Sequence, residues 1–430
     1  MDDPTTIAAL IDAGDDAAAF GRLQARLAWP AGRTLTAAEI PAWFGLVAQL
    51  AQRRGAEELG SIAMAAVRDP DSPDRLYDLG YAMIDAGAPA MAASVLWRCL
   101  QLVPDSEEIV CELVSALESA LQYRDALAVL EQHPGLRARS YLCRYLYAFN
   151  AAMSGQLAVT RGVLPDLTPD GPESEALHAT IAGIVERAER VAGACALDDR
   201  DLRGWQYVLT GCVVNHLSPY GIAEPMRGRY AWLQDSHARI AFGLDRLALL
   251  VQDRALPCIY APPGRSSEIL AQAASVRLGL PLAPWPAIGV PAPGLVVIYD
   301  LAELPVADVP RLIPRRADQV VFAHASPWTA DGPLAPDVTT LLAQTIVAPW
   351  AEAMVVDPVT QRVARTDADE RSAEAIAVDI LANEGLDAEE LAADDRAQWD
   401  ALVARIWPPP PAGMRSRLWA GGPVASSRFV

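Results

Sequence analysis

The sequence predicts two kinds of fold in one chain: an all-α solenoid of repeated helix pairs in the first half, and an α/β domain with a mostly parallel sheet in the second. Three observations predict it. Small and aromatic residues recur between about residues 41 and 170 at a spacing of about 34 residues. From about Ala238 the period changes, and aliphatic runs such as LVVIYDL (residues 295–301) and QVVFAHA (residues 319–325) alternate with amphipathic segments. Between the two patterns lies a charged boundary, Asp198-Asp199-Arg200-Asp201.

Bulk properties narrow the function. A chain of 430 residues, 52% hydrophobic and 21% charged, has material for two or three packed cores and is far from a disordered composition. A net charge of -19 opposes binding to polyanions, so nucleic acid and anionic membrane surfaces are not expected as partners. All 35 basic residues are arginine, which excludes a Schiff-base lysine, a P-loop lysine or a lysine general base. The absence of lysine is consistent with the codon bias of a GC-rich bacterial genome or with avoidance of lysine-directed modification, and the sequence leaves both open. The six cysteines, Cys99, Cys111, Cys143, Cys195, Cys212 and Cys258, form no C-x-x-C pair and read as buried apolar residues in a reducing compartment. No metal site is spelled and no cofactor is implied. The acidic N-terminus lacks the basic residues of a signal peptide, and the uncharged runs 204–223 and 279–299 are interrupted by polar residues and prolines. A cytoplasmic protein without membrane association is expected.

Taken in order, residues 5–28 read as a capping helix pair. Copies of the repeat then follow from Pro41 (Phe44, Val47, Gly55, Gly60, Met64), from Pro73 (Leu79, Gly80, Gly87, Ala92, Pro104), from Glu107 (Leu113, Leu117, Ala126, Leu130) and, more loosely, from Tyr141 (Tyr147, Ala148, Gly155, Leu164). Gly80 and Ala92 are small where two helices of a pair must cross closely, and Pro104 ends the second helix. The amphipathic segment 173–194 would solvate the far end. The helical domain is thus placed at residues 1–195.

This pattern resembles the tetratricopeptide (TPR) repeat. The resemblance implies a partner-binding groove lined by the first helix of each pair, here Gln49, Arg53, Tyr77, Tyr81, Asp85, Glu108, Ser115, Glu118, Tyr145 and Phe149. The lysines and asparagines with which some members of that family clamp a C-terminal carboxylate are missing at these positions. An aromatic and acidic groove suits a neutral or basic protein or peptide. The alternative is that the aromatics pack against neighbouring helices. Stacking of solenoids would make a homo-oligomer.

Residues 196–236 are dense in Trp205, Tyr207, Asn215, His216, Tyr220, Arg227, Arg229, Tyr230, Trp232 and Asp235, and read as a linker and aromatic docking segment; His237 and Arg239 extend the block. The α/β domain, residues 237–407, is expected to run helix 237–253, strand 256–261, helix 266–278, strand 295–301, short helix 309–315, strand 319–325, helix 336–347 and strand 352–357, then a hairpin strand and acidic helices. Residues 408–430 form an extended C-terminal tail, expected to be mobile.

Parallel sheets bind ligands beyond the carboxyl ends of their strands. That rule gathers Arg265, Ser266, Ser267, Asp300, Glu303, His324, Ser326 and Trp328 on one rim, with Arg265 and the two serines at a helix N-terminus suited to a phosphate. Asp300, Glu303 and His324 are the candidates for acid or base. The competing reading makes Ser266 or Ser267 an ordinary helix cap. The outline of this half is weakly similar to type I phosphoribosyltransferases, but Tyr299-Asp300 followed by Leu301-Ala302-Glu303-Leu304-Pro305 stands where that family has two acids and a phosphate loop. The resemblance therefore implies the fold without the activity, and a generic Rossmann-like sheet fits equally. The functional expectation is an adaptor or scaffold with a non-catalytic α/β domain; the alternative is an enzyme or sensor for a phosphorylated small molecule.

Overall fold

A computed structural model describes residues 3–220, 226–356, 363–383 and 385–426. The chain divides into two compact units, residues 1–181 and 182–430.

The first unit is built of helix pairs. Helices α1 (Pro4–Ala13) and α2 (Asp16–Leu27) precede four further pairs: α3 (Ile40–Arg53) with α4 (Glu57–Arg68), α5 (Pro73–Asp85) with α6 (Pro89–Leu102), α7 (Glu107–Ser119) with α8 (Tyr123–Glu131), and, after the short α9 (Pro134–Arg139), α10 (Tyr141–Met153) with α11 (Leu157–Val163). The starts of α3, α5, α7 and α10 reproduce the spacing read from the sequence. Local chemistry sets several of these starts. Ser72, Ser106 and Ser140 each sit extended before a helix, and their hydroxyls accept from the amides of Arg75, Ile109 and Cys143. Gly80 faces the partner helix so closely that a Cβ there would lie 2.5 Å from Leu96 Cγ. The core is a continuous set of apolar residues from Ile7 to Cys143, including Leu76, Leu79, Leu96, Leu113 and Leu117. Helix α12 (Pro172–Arg190) follows.

The second unit is a parallel sheet covered on both faces, as such sheets require. Helix α13 (Leu202–Thr210) leads to β1 (Val213–Val214) and β2 (Tyr230–Gln234); α14 (His237–Val251), β3 (Ile259–Tyr260), α15 (Arg265–Leu278), β4 (Leu282–Ala283), β5 (Gly294–Asp300), α16 (Val309–Leu312), β6 (Pro314–Arg316), β7 (Gln319–Ser326) and β8 (Val338–Val347) come next. The strand order is β1-β8-β7-β5-β3-β4, with β2 pairing the distal half of β8, and every one of these pairings is parallel. Helices α14 and α15 pack on one face, with α17 (Ala373–Leu381) against them. On the other face, Val296, Ile298, Val321 and Ala323 pack against Leu301, Leu304, Leu312, Leu334 and Leu418.

Four expectations are corrected. The segment 336–347, expected as a helix, is β8 at the heart of the sheet: Val338, Thr339 and Thr340 are β-branched and fully buried. The run 352–357 is not a strand of the main sheet; among the described residues β9 (Ala353–Val356) pairs with β10 (Val363–Thr366), antiparallel, in a separate two-stranded sheet, and residue 357 lies outside the described residues. The segment 196–236 is not a linker between domains but part of the second unit, to which it gives α13, β1 and β2, with Trp205, Tyr207 and Tyr230 in the core; residues 221–225 lie outside the described residues.

The tail is not free through residue 426. After α18 (Ala388–Ala393) and α19 (Arg396–Ile406), β11 (Ala412–Met414) pairs antiparallel with β6, and Arg415, Leu418, Ala420 and Val424 are buried. The Arg415 guanidinium donates to Asp337 Oδ2 at 2.7 Å, to Leu312 O at 2.6 Å and to Gln319 Oε1 at 3.1 Å. A buried charge so fully paired anchors the strap it belongs to.

Candidate functional site

At the carboxyl end of the sheet, β3 runs into a turn that ends at Gly264, whose φ of +148° and open surroundings suit glycine, and α15 starts at Arg265. Neither serine caps this helix. Ser267 Oγ accepts from the amide of Tyr299 at 3.1 Å, joining α15 to β5, and Ser266 Oγ accepts from Trp350 Nε1 at 3.2 Å. Arg265 Nη2 donates to the carbonyls of Asp369 and Arg371 at 2.5 and 2.9 Å. The side chains that spell a phosphate cradle thus already hold protein groups. Beside the turn lies a cleft of about 330 Å³ whose walls include Pro262, Pro263, Gly264, Glu268, Gln272 and Trp285; the charged group in it is a carboxylate.

The other rim residues divide between surface and interior. Asp300 is half-buried, its Oδ1 accepting from the Ala302 amide at 2.9 Å, and Glu303 is exposed. Burial pushes both carboxyls up; the Ala302 amide opposes this at Asp300, and the Asp300 charge adds to it at Glu303. His324 and Ser326 are fully buried and Trp328 nearly so. The Ser326 hydroxyl lies 2.9 Å from that of Thr339, and Trp328 Nε1 donates to Tyr230 O at 2.7 Å.

Two residues missing from the predicted set organise this interior. Asp235, just past β2, accepts at Oδ2 from the Tyr299 hydroxyl at 2.8 Å and lies 3.0 Å from His324 Nε2, while the Tyr299 ring stacks on His324 at 5.4 Å. Asp235 Oδ1 and His324 Nδ1 are buried without a hydrogen-bond partner. Burial drives the Tyr299 phenol well up, reinforced by Asp235. Nearby, His216 Nε2 meets Tyr230 OH at 2.9 Å, and Glu390 takes both arms of Arg239 at 2.6 and 2.8 Å. Burial pushes His216 down to about 3, and the charges of Arg239, Arg203 and Arg246 push the same way. Arg203 and Arg246 share Asp394, itself buried. The arrangement can hold protons on fixed partners, but its members are 5% exposed or less at Asp235, His324, Tyr299 and Glu390. Of these residues, His216, Tyr230, Asp235 and Arg239 belong to the dense polar and aromatic block between Trp205 and Arg239; their partners Tyr299, His324 and Glu390, and the Asp394 that holds Arg203 and Arg246, carry no local signal that joins them to it.

In the helical unit, Gln49, Arg53, Asp85 and Glu108 are exposed, as is Tyr81 at 51%, while Tyr77 and Glu118 are half-buried. Arg53 Nε pairs with Asp16 at 3.0 Å, and Glu118 Oε1 accepts from Asn150 Nδ2 at 2.5 Å. Tyr145 and Phe149 are buried and stacked on each other at 5.9 Å, so at that end the aromatics belong to the core. Between α4 and α5 opens a cleft of about 830 Å³ lined by Tyr77, Tyr81, Glu57, Glu58, Asp78 and Asp85. The adjoining Glu112 carboxyl is raised by burial and by the charges of Asp85 and Glu108. Burial also raises the Tyr77 phenol, with Glu112 and Glu108 adding to it.

Fold and sites together define a two-unit protein: a solenoid-like array of helix pairs presenting an acidic, tyrosine-lined cleft, and a parallel α/β unit whose strand-end polar groups are largely paired with one another. No family model matches the chain, and the curated proteins contain no match to it. Among the described residues no helix is long and apolar enough to cross a membrane, and no group of three or more His, Cys, Asp or Glu is placed to hold a metal ion.

Proposed function

We propose that the protein is an adaptor whose TPR-like helical unit docks a basic peptide segment of a partner in the cleft between α4 and α5, the α/β unit serving as a non-catalytic scaffold. The carrying observation is that cleft: four carboxylates, Glu57, Glu58, Asp78 and Asp85, stand with Tyr77 and Tyr81 around a space of about 830 Å³. Carboxylates attract an arginine or lysine side chain and tyrosine faces stack on it, so the two residue types favour the same ligand. A cation would also offset the Asp85 and Glu108 charges, which add to burial in raising Glu112. Support for the alternative, a phosphorylated ligand at the α15 turn, is thinner, because Arg265 Nη2 already donates to two carbonyls and the neighbouring cleft holds Glu268.

The test is fluorescence anisotropy with labelled arginine-rich, neutral and acidic peptides. Arginine-rich peptides bind, acidic ones do not, and affinity falls as salt rises. Tyr81→Ala and Asp85→Asn each weaken binding at least fivefold while leaving the melting temperature near wild type. Equal affinity for acidic and basic peptides, or variants that bind as wild type, refutes the reading.

A further inference from the structure

We propose that Cys111 and Cys143 are a modification site, a thiol pair that a low-molecular-weight disulfide oxidises to an intramolecular disulfide joining α7 to α10. The observation is geometric: the two sulfurs lie 3.7 Å apart although the residues stand 32 positions apart on different helix pairs. A disulfide of about 2.05 Å needs the sulfurs brought together from a contact already made, between helices that already pack. Cys111 is partly exposed and gives a reagent a point of entry; Cys143 is buried. Cys143 sits in the first turn of α10, where its amide donates to the Ser140 hydroxyl at 3.1 Å and the helix N-terminus favours negative charge on sulfur. A hydrogen bond from Cys111 is the main cause that brings the Cys143 thiol down to about 7, against the effect of burial and with help from Ser140, while the same hydrogen bond and burial push the Cys111 thiol up. The other cysteines differ: burial pushes Cys99 up to about 11 and Cys195 up to about 12, and the Cys99, Cys212 and Cys258 thiols face backbone carbonyls.

The exchange balances in two steps. The Cys111 sulfur passes its proton to the Cys143 thiolate and attacks one sulfur of the small disulfide RS-SR, forming Cys111-S-SR and expelling a thiolate that takes that proton from Cys143. The Cys143 thiolate then attacks the Cys111 sulfur and expels the second small thiolate. The protein loses two electrons and two protons, and the reagent leaves as two thiols.

The experiment treats the full chain with glutathione disulfide, quenches with an alkylating reagent, denatures, and counts thiols. Free thiols fall from the six of the sequence to four. Because arginine is the only basic residue, trypsin without reductant releases residues 99–124 joined to residues 140–144. The same linkage in Cys99→Ser assigns it to Cys111. Closing this loop raises the melting temperature by several degrees, reversed by dithiothreitol. Cys143→Ser stops the reaction at the mixed disulfide on Cys111; should that variant misfold, the peptide map of the wild-type chain decides alone. Six free thiols after treatment, a different cysteine pairing, or a mixed disulfide as the end product in the wild type overturns the proposal.

Discussion

Replacing Arg415 by methionine tests whether the C-terminal segment is structural. Arg415 is 3% exposed, and its partner Asp337 is 1% exposed. The guanidinium holds Asp337, Leu312 O and Gln319 Oε1, while Asp337 also accepts from Arg315 Nη1 and from the Val321 amide. Methionine keeps the packing of the stem but leaves a buried carboxylate with one cation instead of two and a buried carbonyl without its donor. Breaking a buried pair in this way costs about 3–5 kcal/mol, a large part of the stability of a typical domain. Urea unfolding followed by circular dichroism and tryptophan fluorescence reads the loss, and Arg415→Lys, which keeps the charge but not the fork, loses less. A loss below about 1 kcal/mol for Arg415→Met refutes the clamp. Its pH dependence has a definite sign. Burial alone raises Asp337, but Arg415 and Arg315 outweigh it and hold the carboxyl below its usual value. The folded state therefore binds this proton less tightly than the unfolded chain does. The contribution is complete above the unfolded value of about 4 and is lost as pH falls through the lower folded value.

Further outcomes follow from single side chains. His216 is held neutral down to about pH 3, whereas the unfolded chain protonates it near 6.5, so the folded state loses about 2 kcal/mol between pH 7 and 5; His216→Phe flattens that part of the pH dependence of urea unfolding, and an unchanged slope refutes the assignment. Gly80→Ala puts a Cβ against Leu96 and destabilises the helical unit by about 1–3 kcal/mol, whereas in a Leu96→Ala background the same change stabilises through helix propensity; thermal melts distinguish the two signs. Tyr145→Ala empties a buried stacked site and costs about 3–5 kcal/mol, while Tyr81→Ala, at the exposed cleft, stays within about 0.5 kcal/mol. Equal effects of the two tyrosine variants in the same melts contradict the division between core and cleft.

Where structure is decided within one turn of chain, the sequence announces it. Ser72, Ser106 and Ser140 before Pro73, Glu107 and Tyr141 mark helix starts by hydrogen bonds three residues long, and the small residues Gly80 and Ala92 mark a close crossing within one helix pair. Strand β5 announces itself by an unbroken aliphatic run, buried along nearly its whole length. Strand β8 does not, because its centre, Leu341-Leu342-Ala343-Gln344, has good helix formers, and its state is set by pairing with β1, β2 and β7, the first of them more than 120 residues away. The same holds for the polar interior. Asp235, Tyr299 and His324 are separated by 64 and 89 residues from one another's partner, and no spacing rule joins them. Arg415 lies in the segment that the sequence predicts as an extended, mobile tail, and only the fold brings Asp337 to it.

The placement of ionisable groups separates the two units more sharply than their secondary structure does. In the α/β unit, arginines and acids meet inside: Arg203 and Arg246 on Asp394, Arg239 on Glu390, Arg315 and Arg415 on Asp337. Each of these charges meets an opposite charge of the same chain, which leaves little charge to recruit a ligand and ties distant segments into one structure. In the helical unit, Glu57, Glu58, Asp78, Asp85 and Glu108 stand exposed on neighbouring helices, and the charges of Asp85 and Glu108 add to the burial that raises Glu112. Such a surface is destabilised by its own charge and gains most from a cation brought by another molecule. The rim that the strand-end rule singles out is thus the poorer place to look for a partner, and the face between α4 and α5 the richer one.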